Sequence, residues 1–486
     1  MPLISTARSL LFALCLVASL QAQTTDATPP TPQPPPPHAP AAAPAAVAAT
    51  LPDTAAGRAL GKFLAAVADP EARLSEDDFS PVFLKKVKME QIRSIVRDLR
   101  AAHGQLDLIS VEADGDDLVT TVAVGRKSGQ RFRVPTSVDP EGRIRGLLFQ
   151  PAPGADNPPI ESFQQLDQRL AKLCQSPAVA LYRLKPGDAL ELEPLHRLNA
   201  DVPLAVGSTF KLYVLSALAE QIAAGTLAWE RPLPIQESLK SLPSGVMQNE
   251  PDGAAFPVRE FAEKMIAISD NTATDHLLHL VGRDAVERQL RAMNASPDRS
   301  LPFLSTREMF QIKLSGDLDR ARRYADADQA SRRAMLASGG EIALAQPSLM
   351  LAAAWRTPVL IDRVEWFVSA EDACRVMAHL YRQSRKPGLE PLRDVLSKNP
   401  GLPLDRKVWS WIGYKGGSEP GVLNMTWVLE TGPAAKPDVY LLSLTFNDTR
   451  QSLKEDQAIG LVQRAIEYIT KVIPPAPPTP VAPTAP

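Results

Sequence analysis

The spacing of apolar residues changes period partway through the first folded stretch of the chain. From Ala55 to Ala68 the apolar positions Leu60, Phe63, Leu64 and Val67 recur every three or four residues, which predicts a helix. Phe83 to Ala101, with Leu84, Val87, Ile92, Ile95, Val96 and Leu99, predicts more helix. The period then falls to two. Leu106 to Glu112, Asp117 to Val124, Gln130 to Thr136 and Ile144 to Phe149 are rich in β-branched residues and predict strands. Lys127-Ser128-Gly129 and Glu141-Gly142 supply hairpin turns between them. Helices followed by an antiparallel sheet make a small α+β unit.

The second stretch mixes both periods. Ser162 to Cys174 predicts a helix, and Ala178 to Leu184 a strand paired with Leu190 to Leu198 across Pro186-Gly187. Helical runs follow at Leu212 to Ala224, Phe261 to Ile268, Thr272 to Val281, Asp284 to Met293 and Thr306 to Leu314. Asp317 to Ala354 is charged and alanine-rich. Ser369-x-Glu371-Asp372 is a capping signature for a helix over Ala370 to Tyr381. Strand-like runs Val408 to Tyr414 and Val422 to Leu429 flank Lys415-Gly416-Gly417-Ser418, and Val439 to Phe446 is a third strand. Leu453 to Ile473 closes the pattern as a long amphipathic helix.

Length and charge narrow this picture. A chain of 486 residues suggests two or three domains. The 53 basic and 55 acidic residues nearly cancel, which argues against a nucleic-acid partner. Residues 1–22 read as a secretory signal: Arg8, the short apolar run Ser9 to Leu20, and small residues near Ala18, Ser19 and Ala22. The chain is therefore expected to be exported, periplasmic or secreted. Cys15 offers a lipoprotein alternative, disfavoured because Leu14 stands where such a signal needs a small residue. Residues 23–52 form a Pro/Ala-rich linker, and 474–486 a tail of the same character. Folded segments are expected at 53–152 and 160–473. No run after the signal is long and apolar enough to span a bilayer. After cleavage Cys174 and Cys374 remain, with nothing to bring them together and no metal-ligand spacing, so no metal or other cofactor is expected.

Candidate chemistry centres on Ser208-Thr209-Phe210-Lys211. Ser208 and Lys211 share one helical face, and a serine nucleophile needs a base within reach. A desolvated lysine beside other cations can be that base. Two further polar clusters follow, Ser269-Asp270-Asn271 and Lys415-Gly416-Gly417. Taken singly, each has a bland reading: a solvated pair opening a helix, a polar turn, a hairpin turn.

Taken in order, the three resemble the Ser-x-x-Lys, Ser-Asp-Asn and Lys-Thr-Gly motifs of class A β-lactamases and penicillin-binding proteins. The likeness runs from about Ser162 to Ile473. It implies an α+β domain, an antiparallel sheet flanked by helices with an all-helical subdomain. It also implies roles. Ser208 becomes acylated, Lys211 takes its proton or holds the base that does, Ser269 relays a proton to the leaving group, and Asn271 binds substrate and fixes Lys211. Lys415 attracts a substrate carboxylate and keeps Lys211 neutral. The backbone N–H groups of Ser208 and Ser418 hold an oxyanion, with Gly417 beside them, and the Ser418 hydroxyl can touch a carboxylate. The unit at 53–152 resembles cystatin-like or NTF2-like folds by pattern, and is expected to be an accessory module.

Two departures qualify the likeness. Gly416 stands where the motif has threonine, so a substrate-binding hydroxyl is missing. The Glu-x-x-Leu-Asn pattern that positions a deacylating water in class A enzymes is not found, and Met293 to Glu308 looks like the family's sequence with that loop deleted. Glu308 is the nearest carboxylate, in a first-turn setting. The added N-terminal unit is similar to two-domain β-lactamase-like enzymes such as that of the clavulanic acid cluster. The resemblance implies an exported serine hydrolase acting through an acyl-enzyme on a β-lactam, ester or related acyl substrate, with weak or absent β-lactam turnover. The alternatives are a D-Ala peptidase or transferase acting on peptidoglycan peptides, and a non-catalytic acyl-trapping sensor.

Overall fold

A computed structural model describes residues 49–152, 157–187, 189–241, 244–343, 345, 355–433 and 436–473. The expected signal at 1–22 and tail at 474–486, with nearly all of the 23–52 linker, lie outside them. The chain forms two compact units that divide between residues 156 and 157.

The first unit carries three helices, α1 (Ala55–Ala68), α2 (Pro81–Lys86) and α3 (Met89–His103). The single run expected over 83–101 is in fact two helices, because Val87 and Lys88 both take extended backbone. Strands β1 (Leu106–Asp114), β2 (Leu118–Gly125), β3 (Arg131–Val138) and β4 (Ile144–Leu147) pair antiparallel in that order, with the short β5 (Gln150–Pro151) also on β3. Leu60, Phe63, Val96, Leu99, Phe132 and Val134 meet in its core.

The second unit is built on an antiparallel sheet. Its strands are β6 (Ser176–Leu184), β7 (Leu192–Leu198), β12 (Trp411–Glu419), β13 (Val422–Thr431) and β14 (Asp438–Asn447), in the order β12-β13-β14-β6-β7. Short pairs β8 (Leu204–Ala205) with β11 (Phe367–Val368), and β9 (Pro232–Pro234) with β10 (Ala255–Pro257), lie outside it. α4 (Phe163–Leu173) packs against β6 and against the C-terminal helix, α14 (Glu455–Val472). α5 (Lys211–Ala223) packs against α12 (Ala370–Gln383), which lies on β6, β13 and β14. A helical region joins α6 (Val258–Ala267), α7 (Asn271–Val281), α8 (Arg283–Met293), α9 (Thr306–Lys313), α10 (Leu318–Asp326) and α11 (Gln329–Leu336), and α13 (Pro391–Ser397) packs on α6. This is the mixed helix-and-sheet architecture expected of the second segment.

One strand is displaced from its expected position. The run expected at Val408 to Tyr414 begins only at Trp411, since Val408 N–H bonds Asp405 O in a turn. Lys415 to Ser418 therefore lie inside β12 rather than between strands, and the chain reverses beyond Glu419, at Gly421. Both Cys174 and Cys374 are buried free thiols. Among the described residues no helix is long and apolar enough to cross a membrane.

Two buried polar groupings fix the sheet to its surroundings. Asn424 on β13 is fully buried, and its Nδ2 donates to Thr445 Oγ1 at 2.9 Å and Ser443 Oγ at 3.2 Å. Its Oδ1 accepts from Thr426 Oγ1 at 2.9 Å and from Thr209 Oγ1 at 2.7 Å, which ties the turn ahead of α5 to the sheet. At the end of β12, the buried Lys313 of α9 donates to Glu419 at 2.5 Å and Glu365 at 3.2 Å. Burial, reinforced by the neighbouring Glu365, pushes the Glu419 carboxyl well above its usual range.

Removing one member of a satisfied buried network strands its partners without water. Asn424→Ala is expected to lower unfolding free energy by about 1–3 kcal/mol, seen as a lower denaturant midpoint at unchanged slope. A loss below about 0.5 kcal/mol would show that water replaces the amide there.

Candidate active site

Gly207–Phe210 forms a 3-10 turn that runs directly into α5. In a three-residue turn, side chains at i and i+3 eclipse, so Ser208 stands over Lys211. Lys211 N–H closes the turn on the carbonyls of Ser208 and Thr209. Phe210 anchors it from below, stacked on Trp366 with ring centroids 3.7 Å apart.

The turn touches β12 backbone to backbone. Gly207 has φ +49°, and a Cβ there would stand 3.0 Å from Ser418 N. A Cβ on Gly417 would lie 2.2 Å from Val206 O and 2.3 Å from Ser208 N. Only glycine permits this approach at position 417. It brings the backbone of Ser208 alongside that of Gly417 and Ser418, and the N–H groups of Ser208 and Ser418 are the pair expected to hold an oxyanion.

Lys211 is fully buried. Its Nζ donates to Ser269 O at 2.7 Å, Asn271 Oδ1 at 2.7 Å and Ser269 Oγ at 3.1 Å. No carboxylate is among these partners, and burial pushes its pKa down to about 7 against the smaller opposing pull of Asp270 and Asp275. Among the described residues no hydrogen bond joins the Ser208 hydroxyl to Lys211.

Ser269-Asp270-Asn271 is a loop entering α7 that the protein holds in an unusual shape. Ser269 has φ +56°, a left-handed conformation unfavourable for a non-glycine residue. Asp270 fixes it. One carboxylate oxygen caps α7 at Ala273 N–H, 2.8 Å away, and the other accepts from the N–H groups of Val246 at 2.6 Å and Met247 at 2.9 Å. Ser244 adds Oγ to Ser269 O at 2.7 Å, and its own carbonyl accepts from Asn271 N–H.

Lys415 reaches the same hydroxyl from the other side. Its Nζ lies 3.2 Å from Ser269 Oγ and 2.5 Å from Gly416 O. Burial, with the charge of Lys211 adding to it, holds Lys415 well below the ordinary lysine range. Two buried lysines flanking one hydroxyl repel each other strongly when both are protonated. The sequence-expected residues Ser208, Lys211, Ser269, Asn271, Lys415, Gly417 and Ser418 thus converge on one place.

The nearby carboxylates have other duties. Glu308 takes Arg283 Nη2 at 2.6 Å and Ser305 N–H at 2.7 Å, a capping box at the start of α9. Asp275, pushed up to about 6 by burial, accepts from Thr306 N–H and Oγ1 and from Arg307 N–H. Phe303 packs edge-on against Phe210 at 5.6 Å, so the segment before α9 supports the Ser208 turn.

Sequence reasoning missed Asn424, Ser244, Gly207 and the lysine between two glutamates. A signal for the first existed: Asn424, Thr426, Ser443 and Thr445 are polar at alternate positions of otherwise apolar strands, and the register sets Asn424 opposite Thr445 and Thr426 opposite Ser443. Ser244 carries no such mark.

A search of curated proteins finds no match. Among solved structures, a β-lactamase from Sphaerobacter thermophilus is similar at 21% identity, covering 65% of this chain and 100% of that one, TM-score 0.42. A β-lactamase from Xanthomonas campestris pv. campestris matches at 15% identity, 64% and 98% coverage and TM-score 0.42. A mutant of PBP-A, solved as an acyl-enzyme complex with penicillin G, matches at 15% identity, 65% and 98% coverage and TM-score 0.40. In sequence, residues 190–424 match the model of the β-lactamase enzyme family, a stretch that contains every one of the seven converging residues.

Proposed function

We propose that the chain is a serine hydrolase that acts through an acyl-enzyme on Ser208, with a β-lactam or related activated acyl compound as substrate. The observation that carries this reading is the buried Lys211, held by Ser269 and Asn271 one turn from Ser208 with Lys415 across the same hydroxyl. A neutral Lys211 takes the Ser208 proton as Oγ attacks the substrate carbonyl. The N–H groups of Ser208 and Ser418 receive the negative charge on the carbonyl oxygen. As the C–N or C–O bond breaks, the proton passes from Lys211 through Ser269 Oγ to the leaving atom. An arriving carboxylate supplies Lys415 with a counter-charge, which reverses the burial effect on its protonation.

Hydrolysis of the adduct needs a second base, and here the support is for slow turnover. The spacing Leu301-Pro302-Phe303-Leu304-Ser305 follows Glu-x-x-Leu-Asn with leucine in place of the glutamate and serine in place of the asparagine. A residue exchange at those positions describes the segment better than a deleted loop. Glu308 is already engaged by Arg283 and Ser305. The apolar run from Ser9 to Leu20 supports export, where such substrates are met.

Intact mass after mixing with penicillin G is expected to show a single adduct that outlasts its formation many-fold. Ser208→Ala is expected to abolish it. An adduct on that variant would assign the nucleophile elsewhere, and rapid loss of the adduct with product accumulating would identify an efficient β-lactamase instead.

The pH dependence has a definite sign. Lys211 works as a base only when neutral, and its pKa is pushed down to about 7. Adduct formation is therefore expected to rise with pH through about 7 and level off above, the inflection belonging to the Lys211–Lys415 pair. A rate that is flat from about pH 5 to 9, or climbs only above about 9, would exclude Lys211 as the base. Lys211→Ala is expected to slow adduct formation by about 10²- to 10⁴-fold.

A further inference from the structure

The missing hydroxyl at position 416 has a substitute close at hand. Gly416 and Tyr414 are two residues apart on β12, so they share one face of the strand. The Tyr414 ring lies forward over Gly416: a Cβ built on Gly416 would fall 2.1 Å from Tyr414 Oη and 2.8 Å from Cζ. The phenol oxygen thus occupies the space that a threonine side chain at 416 would need.

The ring is held there. Its centroid lies 4.9 Å from that of Trp427, whose Nε1 is fixed on Pro400 O at 2.9 Å. A Cβ on Gly401 would meet the ring at 2.6 Å, so that glycine makes room for it. Tyr414 is half-buried, and among the described residues its hydroxyl has no hydrogen-bond partner. Burial pushes the phenol above its ordinary range, so it stays protonated and remains a donor. Ser418, exposed, stands two residues beyond Gly416 on the same face. Lys415 lies between them and donates to Gly416 O.

We infer that Tyr414 is a specificity-determining residue, its hydroxyl donating, together with Ser418 Oγ, to a carboxylate that the substrate presents beside Lys415. The inference rests on the acyl-enzyme reading for its reaction, and adds to it a donor that none of the three motifs supplies. The competing account of the same geometry is that the ring only shields the glycine on an edge strand. A shielding ring would serve charged and neutral substrates alike.

Tyr414→Phe keeps the ring and removes the donor. With the full chain, the rate of adduct formation is compared for penicillin G and for its methyl ester. The variant is expected to lose about tenfold or more on the acid, as for a hydrogen bond to a charged group, and to keep its rate on the ester. Equal losses on both compounds, or no loss on either, would overturn the assignment. The same pair is then titrated by calorimetry against Ser208→Ala and against Ser208→Ala/Tyr414→Phe, where no adduct can form. Preference for the acid that disappears with Tyr414→Phe sustains the carboxylate site even if Ser208 proves not to be acylated. Absence of any preference for the acid in Ser208→Ala defeats it whatever Ser208 does.

Discussion

Most of the site follows from burying a lysine without giving it a carboxylate. Lys211 has no exposure, and among the described residues its Nζ hydrogen-bonds to a carbonyl, a hydroxyl and an amide oxygen. An ammonium desolvated in this way gives up its proton far more readily than an ordinary lysine. Three oxygens must still be aimed at one nitrogen, and all three come from residues 269 and 271. That requirement explains the left-handed backbone at Ser269. It also explains Asp270, whose carboxylate accepts from Val246, Met247 and Ala273 instead of from the lysine. The middle residue of the motif is a scaffold, and its neighbours are the ligands of the lysine.

The second constraint is the backbone contact between the Ser208 turn and β12. Two glycines, 207 and 417, allow it, and a side chain at 417 would push into Ser208 itself. The contact makes the edge strand and the turn one rigid piece, so that both candidate oxyanion donors are positioned by main chain rather than by side-chain rotamers. Asn424 holds the other side of the same turn through Thr209. The sheet is accordingly more than a platform: its buried amide and its edge glycine both set where Ser208 sits.

Much of this is legible in the sequence because it is local. The apolar spacing predicts α1 over Ala55 to Ala68, where it lies, and the pairing of Ser176–Leu184 with Leu192–Leu198 follows from two apolar runs and a Pro-Gly turn. The motif residues are legible because their order along the chain is itself informative. What is not legible depends on contacts distant in sequence. Lys415-Gly416-Gly417-Ser418 reads as a turn, since glycine pairs usually mark one, but Gly417 is there to clear Ser208 and the strand runs through it. The break between α2 and α3 rests on two extended residues within an unbroken helical pattern. Tyr414 reads as an ordinary strand aromatic until its ring is seen over Gly416. Lys313, Glu365 and Glu419 are far apart in sequence, and no periodicity joins them.

The distribution of negative charge then separates the two halves of the proposed reaction. Acylation needs a neutral amine, a hydroxyl relay and two main-chain donors; the amine and the hydroxyl meet at Ser269, and the main-chain donors lie where the Ser208 turn touches β12. Deacylation needs a carboxylate free to hold water. Asp270 is engaged by a loop and a helix cap, Asp275 and Glu308 by the start of α9, and Glu365 and Glu419 by Lys313. Each of these carboxylates stabilises an element that supports the site, so freeing one to act as a base would loosen the structure it serves. On the proposed reading, a site that grips its lysines with neutral oxygens and uses these acids as struts makes an acyl bond more readily than it breaks one.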